Sequence, residues 1–563
     1  PQECERILDR TLMTRATKMR RTRGVLLRVA LQFTPSGETA DFNDVATAVR
    51  REQSSALPAR IMRHRNFRVG ELKGKIGELR RQLDLRRKGK SVRRLMEDYG
   101  SEIISATPCF FVSPASLAQF VPPGSVTFDL VVFDEASQIT VAQAIGALGR
   151  GRSAIIVGDS QQMPPTAFGQ VTTNRDDDDD ADDEVVPEDL DSILTECVES
   201  SVPRIWLSWH YRSRDESLIA FSNEKYYDGK LASLPAPGGN PATGLELRRV
   251  HGHFNREDKK KDFRTNRVEA EAIVAEILSL VHAPSGTQQS IGVVTFNRQQ
   301  QELILDLLEE TGDQQIIHLL KPDTENGIFV KNLENVQGDE RDVILFSTAF
   351  SKRPGEGAMP LNFGPLTRFG GEKRLNVAVT RARAKVIVFC SFDPSDIELS
   401  RTRSVGMAHL KAYLEAAADA SGHGGVTSVA TAHQPEKIQE TIAAALRERG
   451  LDVVADYGLS EFVVDIAVRD PESPHWQVAV MLDGPRWARR TTVADRELTP
   501  SLLDSMMGWA SCERIWLPEW IKDRDSVVNR IYAAVEQAKA AEVKRAEEQA
   551  ALLEEKQPVD EAD

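Results

Sequence analysis

The run Phe128 to Asp134, FDLVVFD, is followed at once by Glu135, so two carboxylates stand at the C-terminal end of an apolar, β-branched stretch that reads as a buried strand. Open α/β sheets build their sites at that end of their strands. A first carboxylate there can hold Mg²⁺, usually through its waters, and the adjacent one can activate a water for attack on a γ-phosphate. Further on, Ile155 to Pro165, IIVGDSQQMPP, is a second such strand ending in Gly-Asp, and Gln162 behind it can bring an amide to the same phosphate. An Asp-Glu pair by itself is also how an ordinary helix begins; the segments that follow give this one its weight.

Those segments are Trp209 to Glu216 (WHYRSRDE), Asn335 to Asp342 (NVQGDERD) and Arg374 to Arg383 (RLNVAVTRAR). In this order the five runs resemble motifs II to VI of superfamily 1 helicases, in the branch that contains the nonsense-mediated-decay helicase and senataxin. SPASLAQF, FDEASQI and GGEKRLNVAVTRAR sharpen the likeness toward the large bacterial members of that branch that carry a C-terminal endonuclease-like domain. The resemblance implies ATP and Mg²⁺ as cofactors, with Asp134 the Mg²⁺ carboxylate, Glu135 the general base and Gln162 the γ-phosphate sensor. It further implies that Arg212 and Arg381 reach the phosphates from the second motor domain, and that Gln337, Gly338 and Glu340 lie near ribose and phosphates. A guanidinium suits that task because its donors form a fixed fork matched to phosphate. For nucleic acid the resemblance points to Ser113, Thr295, Asn297 and Thr380, small hydroxyl and amide residues that bind sugar and phosphate without reading bases.

The elements that must position these groups are short β-branched runs alternating with helical segments from Ala106 onward, the pattern of buried parallel sheets. The expected fold is α/β, with two RecA-like parallel-sheet domains, a basic helical insertion, and a small α/β restriction-endonuclease-like domain. The expected organisation is a basic helical segment over 1–100 and the remainder of the first motor domain over 101–198. The second motor domain follows over 199–400, then a linker over 401–432, the endonuclease-like domain over 433–540 and a charged tail over 541–563. Within the first segment, Leu72, Ile76, Leu79, Leu83 and Leu85 recur at helical spacing among many Arg and Lys, which predicts an amphipathic basic helix or hairpin.

Of 563 residues, 41% are apolar and 28% charged, the composition of a globular chain, and no run approaches the roughly 18 apolar residues of a membrane span. Five scattered cysteines form no CxxC pair, which excludes a zinc knuckle and a disulfide framework and fits a reducing cytoplasm. The formal charge of −14 conceals an asymmetry: residues 1–100 hold 24 Lys and Arg against 12 Asp and Glu, enough to track phosphates. The acidic run Asp176 to Glu184 reads as a solvated insertion.

No G-x-x-x-x-G-K-[ST] loop occurs in the chain. Gly146 to Ser153, GALGRGRS, has Arg152 where the lysine should be and precedes its strand instead of following it. Together with a first residue that is Pro1, this leads to the expectation of a C-terminal portion of a longer helicase.

Beyond a Gly-rich stretch at Ser421 to Ser428 comes a second alternation of helix, three strands, helix, strand. GLSEFVVDIAV, VAVMLDG and CERIWLPEW resemble domains related to the very-short-patch-repair endonuclease, in which Asp465 and Asp483 would share a divalent ion. Met481 stands where that family has a carboxylate, and a thioether does not bind a hard cation.

The expectation is thus an ATP-dependent helicase or translocase of superfamily 1B, moving 5′ to 3′ on single-stranded nucleic acid, DNA favoured over RNA, with no membrane partner. The alternatives are a nucleotide-gated clamp that does not unwind, and a nuclease that the motor loads.

Overall fold

The computed structural model describes residues 74–85, 89–165, 192–240, 242–256, 262–283, 289–322, 324–353, 358–422, 437–489 and 500–555, with a few positions between 48 and 63. The chain divides into a unit spanning 35–206 and a unit that holds 207–563.

In the first unit the basic segment forms two helices, α1 (Gly74–Asp84) and α2 (Val92–Ala106), the second capped by Ser91, whose side chain accepts from the Arg94 amide. Leu79, Met96 and Tyr99 are buried, but Leu83 and Leu85 are exposed, so the apolar stripe stops short of what spacing suggested. Leu72 and the acidic run lie outside the described residues. Strands β1 (Phe128–Phe133) and β2 (Gly151–Ile156) pair in parallel, Phe133 beside Ile156. The helix between them, Val141–Leu148, begins on a reciprocal cap of Thr140 and Gln143. Parallel sheets are normally covered on both faces, and two strands alone make a marginal sheet. Here Leu130, Val132 and Ile155 remain about half exposed. Among the described residues this sheet is therefore incomplete on one face.

The second unit carries a five-stranded parallel sheet made of β3 (Gly244–Arg249), β4 (Ile291–Thr295), β5 (Phe329–Asn332), β6 (Arg341–Ser347) and β7 (Ala382–Cys390), in the order β3-β7-β6-β4-β5. Every residue of β4 is buried, and Gly292 has no side chain because the Phe329 ring and Ile344 occupy the space a Cβ would take. Helices α3 (Ser217–Tyr226), α4 (Gly371–Val379) and α5 (Val405–Gly422) belong to the same domain. Met407, Leu410, Tyr413, Leu414 and Ala417 of α5 are buried. Chain expected to be linker from 401 is thus helical over Val405–Gly422 and buries side chains as far as Ala417, and residues 423–436 lie outside the described residues.

The terminal domain follows the expected order. Helix α6 (Lys437–Glu448) precedes β8 (Asp452–Tyr457), β9 (Val464–Arg469), β10 (Val478–Leu482) and β11 (Ser511–Ile515), and α7 (Arg524–Glu555) closes it, continuing as helix into the expected tail. The sheet order is β11-β10-β9-β8, with β10 and β11 parallel and the other two pairs antiparallel. One face buries Ile442, Leu446, Ile466, Val480, Trp520 and Ile531. The molecule is thus a mixed α/β chain with a parallel five-stranded sheet and a separate small endonuclease-like domain. Among the described residues no helix is long and apolar enough to cross a membrane.

Candidate functional site

In the first unit the parallel register brings the ends of β1 and β2 side by side: the Val157 amide donates to Phe133 O at 2.8 Å and the Ala136 amide donates to Val157 O at 2.9 Å. Asp134 and Glu135 therefore emerge next to Gly158 and Asp159, as the strand-end reading expected. A Cβ on Gly158 would stand 3.0 Å from the Ser137 amide, so the two turns can approach this closely only across a glycine. Asp134 Oδ1 accepts from the Glu135 amide at 3.0 Å. Glu135 is held in the left-handed region, φ 51° and ψ 41°, a conformation that costs a non-glycine residue about 1–3 kcal/mol and tends to occur at functional sites. Both carboxylates are exposed. Gln162 donates through Nε2 to Asp159 Oδ2 at 3.0 Å, so its amide is oriented by a carboxylate that sequence reading passed over. Ser113 is exposed and caps the helix Pro114–Phe120, accepting from the Ser116 amide at 3.2 Å.

In the second unit, three segments far apart in sequence converge. Arg212 donates through Nε to Glu340 Oε2 at 2.8 Å and through Nη1 to Thr380 O at 3.2 Å. Arg383 grips the other oxygen of Glu340, Nη2 to Oε1 at 2.5 Å. The Arg383 and Arg212 guanidiniums together hold the Glu340 carboxyl below its ordinary range. Arg381 is almost fully buried; its Nε donates to Val377 O at 2.7 Å and its Nη2 to Thr380 Oγ1 at 3.1 Å. His210, whose Nε2 accepts from the Ser213 amide, is pushed down to about 4 by burial and by the nearby Arg212 and Arg381, so it is neutral at pH 7. Gly338 has φ +86°, which suits the glycine of that turn, and Gln337 beside it has a buried Nε2 without a hydrogen-bond partner. Arg383 and His210 were not foreseen. The signal for Arg383 was present, since it stands one alternation beyond Arg381 at the start of β7.

The nucleic-acid candidates of this unit are all engaged locally. Thr295 ends β4 with no exposed surface, and its hydroxyl donates to Asn297 O at 2.8 Å. Asn297 caps the helix Arg298–Glu310, its Oδ1 accepting from the Gln300 amide at 2.8 Å. The Thr380 hydroxyl donates to Asn376 O at 2.9 Å. A buried strand end and a helix start both need local hydroxyl and amide partners, and here these side chains supply them.

In the terminal domain, Asp465 and Asp483 are engaged separately. Asp465 Oδ2 accepts from the Leu482 amide at 2.7 Å, while Asp483 Oδ1 accepts from the Leu517 amide at 2.8 Å, and burial raises the Asp483 carboxyl above its ordinary value. The Arg486 guanidinium stands 2.6 Å from Asp456 Oδ1 and 3.5 Å from Asp465 Oδ1, so a cationic side chain already faces both carboxylates. Gln439 donates to Asp456 Oδ1 at 2.8 Å and also to Asp465 O. One oxygen, Asp456 Oδ2, is buried without a hydrogen-bond partner, but Arg486 already neutralises that carboxylate. Among the described residues no group of three or more His, Cys, Asp or Glu side chains could hold a metal ion. These residues do not fit a divalent ion, which needs several oxygen ligands at once.

Met481 fits it no better. It is buried in an apolar cluster with Leu234, Val464, Ala479, Leu503 and Trp509. For Met481→Glu the packing predicts a destabilisation on the order of 3–5 kcal/mol from an unpaired buried charge. Urea unfolding of the variant beside wild type measures it, and an unchanged midpoint together with new DNA cleavage would contradict it.

A family model described as AAA domain matches residues 190–393, a second described as AAA domain matches 16–170, and one described as REase_MTES_1575 matches 439–535. The chain is similar to the "Uncharacterized ATP-dependent helicase MG140 homolog" of Mycoplasma pneumoniae, 34% identical over 54% of this chain and 27% of that protein. It is also similar to "DNA replication ATP-dependent helicase/nuclease DNA2" of Bos taurus, 26% identical over 53% of this chain and 27% of that one. A third relative, "DNA-binding protein SMUBP-2" of Mus musculus, is 25% identical over 57% of this chain and 30% of that protein. The matched part thus spans under a third of each of these relatives.

Proposed function

We propose, from the premise that this chain carries the AAA helicase domains of superfamily 1B followed by a restriction-endonuclease-like domain, that it is the motif II to VI part of an ATP-driven motor on single-stranded nucleic acid. The substrate read here is DNA before RNA, with movement 5′ to 3′. The observation that carries the reading is the convergence of Arg212, Glu340, Thr380, Arg381 and Arg383 from three separate segments. Phosphoryl transfer is catalysed mainly by positioning and by cations set against developing charge, and these arginines are held in place by hydrogen bonds before any phosphate arrives. Glu135 is the base that orients and deprotonates the attacking water. Asp134 would hold Mg²⁺, which supplies charge neutralisation at the phosphates. Gln162, steadied by Asp159, senses the terminal phosphate.

The terminal domain, in this reading, docks on the motor and does not cut. Its Asp456 and Asp465 carboxylates are paired internally with Arg486, and its sheet packs against the motor through Met481 and its neighbours.

Strand displacement measured beside ATP turnover tests the motor, in a polypeptide that joins a phosphate-binding loop to this chain. The expected result is turnover stimulated by single-stranded DNA with displacement from a 5′ overhang. Stimulated turnover without displacement would make it a clamp, and cleavage that requires Asp465 would restore the nuclease reading.

A further inference from the structure

The segment Leu231–Gly239, LASLPAPGG, crosses from the motor onto the terminal sheet. Its alternating Ala232, Leu234 and Ala236 enter one cluster with Tyr457, Phe462 and Trp509. Its carbonyls are taken in turn: the Trp509 indole donates to Pro235 O at 2.8 Å, the Tyr457 hydroxyl to Ala236 O at 2.9 Å and the Trp476 amide to Pro237 O at 2.9 Å. Prolines suit such a strap, since they hold an extended path and offer acceptors without leaving a buried donor unpaired.

At its other side the strap is tied to the segment that contains Arg212. The Ala232 amide donates to Ser208 O at 2.7 Å and the His210 amide donates to Ala232 O at 2.8 Å. The terminal domain also touches that segment directly, and at both ends. Before Arg212, the Trp209 ring packs against Phe462 with centroids 5.5 Å apart. After it, the Glu216 carboxylate is buried, with Oε1 accepting from the Ser233 hydroxyl at 2.6 Å and Oε2 from the Leu459 amide at 2.9 Å. Ser460 closes the seam, its hydroxyl accepting from the Ser233 amide at 3.0 Å and donating to Ser233 O at 3.1 Å. A fully paired buried polar cluster of this kind specifies one arrangement of the surfaces that meet there.

We propose that the terminal domain is a brace for the motor: it holds Trp209 and Glu216 on either side of Arg212 and so fixes where that guanidinium stands against Glu340 and Thr380. Phe462, Ser460 and Glu216 are positioning residues, and their effect on turnover rests on the motor reading given above. A domain that has lost the geometry for a divalent ion thereby keeps a mechanical task. The brace also carries a pH dependence. Burial raises the Glu216 carboxyl to about 7, against hydrogen bonds from Ser233, Leu459 and Ser460 that lower it, and the titratable groups facing it are Asp215 and Tyr457. Because its folded value lies above its ordinary one, the stability it contributes is present at low pH and is lost as pH rises through about 7.

The test is amide hydrogen exchange on the 563-residue chain, following peptides covering 207–220 against the strands 341–347 and 382–390. Phe462→Ala and Glu216→Ala are expected to speed exchange in 207–220 by about ten-fold, the scale of losing one buried partner, and to leave the strands unchanged. Glu216→Gln, which keeps one acceptor and one donor as the protonated acid does, should restore protection. It should also melt with wild type at pH 5.5 and above it at pH 8, a profile that a simple packing role would not give. Unchanged exchange in 207–220 in both alanine variants overturns the brace, as does a rise shared equally by the two strands or a Gln variant that tracks alanine. The readout needs neither ATP nor nucleic acid, so failure of the motor reading leaves it standing, and its failure leaves the motor reading untouched.

Discussion

Arg381→Ala is expected to lower ATP turnover about 1,000-fold in a polypeptide that joins this chain to a phosphate-binding loop, the lower bound for removing an arginine that neutralises transition-state charge. The expectation rests on how the side chain is held. Its Nε is fixed to Val377 O and its Nη2 to the Thr380 hydroxyl, one turn from the start of β7, so the guanidinium is oriented before substrate enters. Preorganised charge is worth most where water is excluded, and Arg381 is almost fully buried. The loss should fall on kcat far more than on KM, because the interaction strengthens as the transition state forms. Arg381→Lys should rescue little, since an ammonium keeps the charge without the planar fork. Steady-state kinetics with a thermal melt to exclude misfolding decide it, and a lysine variant within a few-fold of wild type would remove Arg381 from the mechanism.

Glu135→Gln comes second, with turnover down by about 100-fold or more and nucleotide binding largely intact, as for loss of a general base. Glutamine keeps the size and the hydrogen-bond acceptor while removing the basicity. Glu135 stands on left-handed backbone just beyond β1, a conformation that glutamate and glutamine adopt at similar cost. Equilibrium binding of a nucleotide analogue beside turnover separates the two effects. Turnover near wild type would show that Glu135 is not the base.

How much of this could be read without the structure differs from element to element. The parallel strands were legible because β4 and the later parts of β6 and β7 are buried on both faces, where their sequences run apolar without a break. The positions of Asp134 and Glu135 were legible for the same reason, since a strand end is marked by where such a run stops. The extent of α5 was not, because its many alanines give only a faint apolar face, and its burial comes from the domain it packs on. Thr295 and Asn297 show where sequence is ambiguous. A hydroxyl or amide at a strand-to-helix turn looks the same in sequence whether it faces a ligand or caps its own backbone, and here both cap. Arg486 and Asp456 could not have been paired from sequence, since only the left-handed backbone at Asp456, φ 53°, near the end of β8 and the short helix Pro485–Arg489 after β10 bring them together.

The most direct measurement is ATP turnover, with and without single-stranded DNA, by the 563-residue chain alone and by the same chain joined to a segment bearing G-x-x-x-x-G-K-[ST]. On the proposed reading the chain supplies base, sensor and arginines, its sequence has no G-x-x-x-x-G-K-[ST] run to cradle the phosphates, and reacting groups that are not positioned do not react at useful rates. Negligible turnover from the chain alone, and DNA-stimulated turnover once the loop is joined, is the predicted result. Robust stimulated turnover from the 563 residues by themselves, or none from the joined polypeptide, would contradict it.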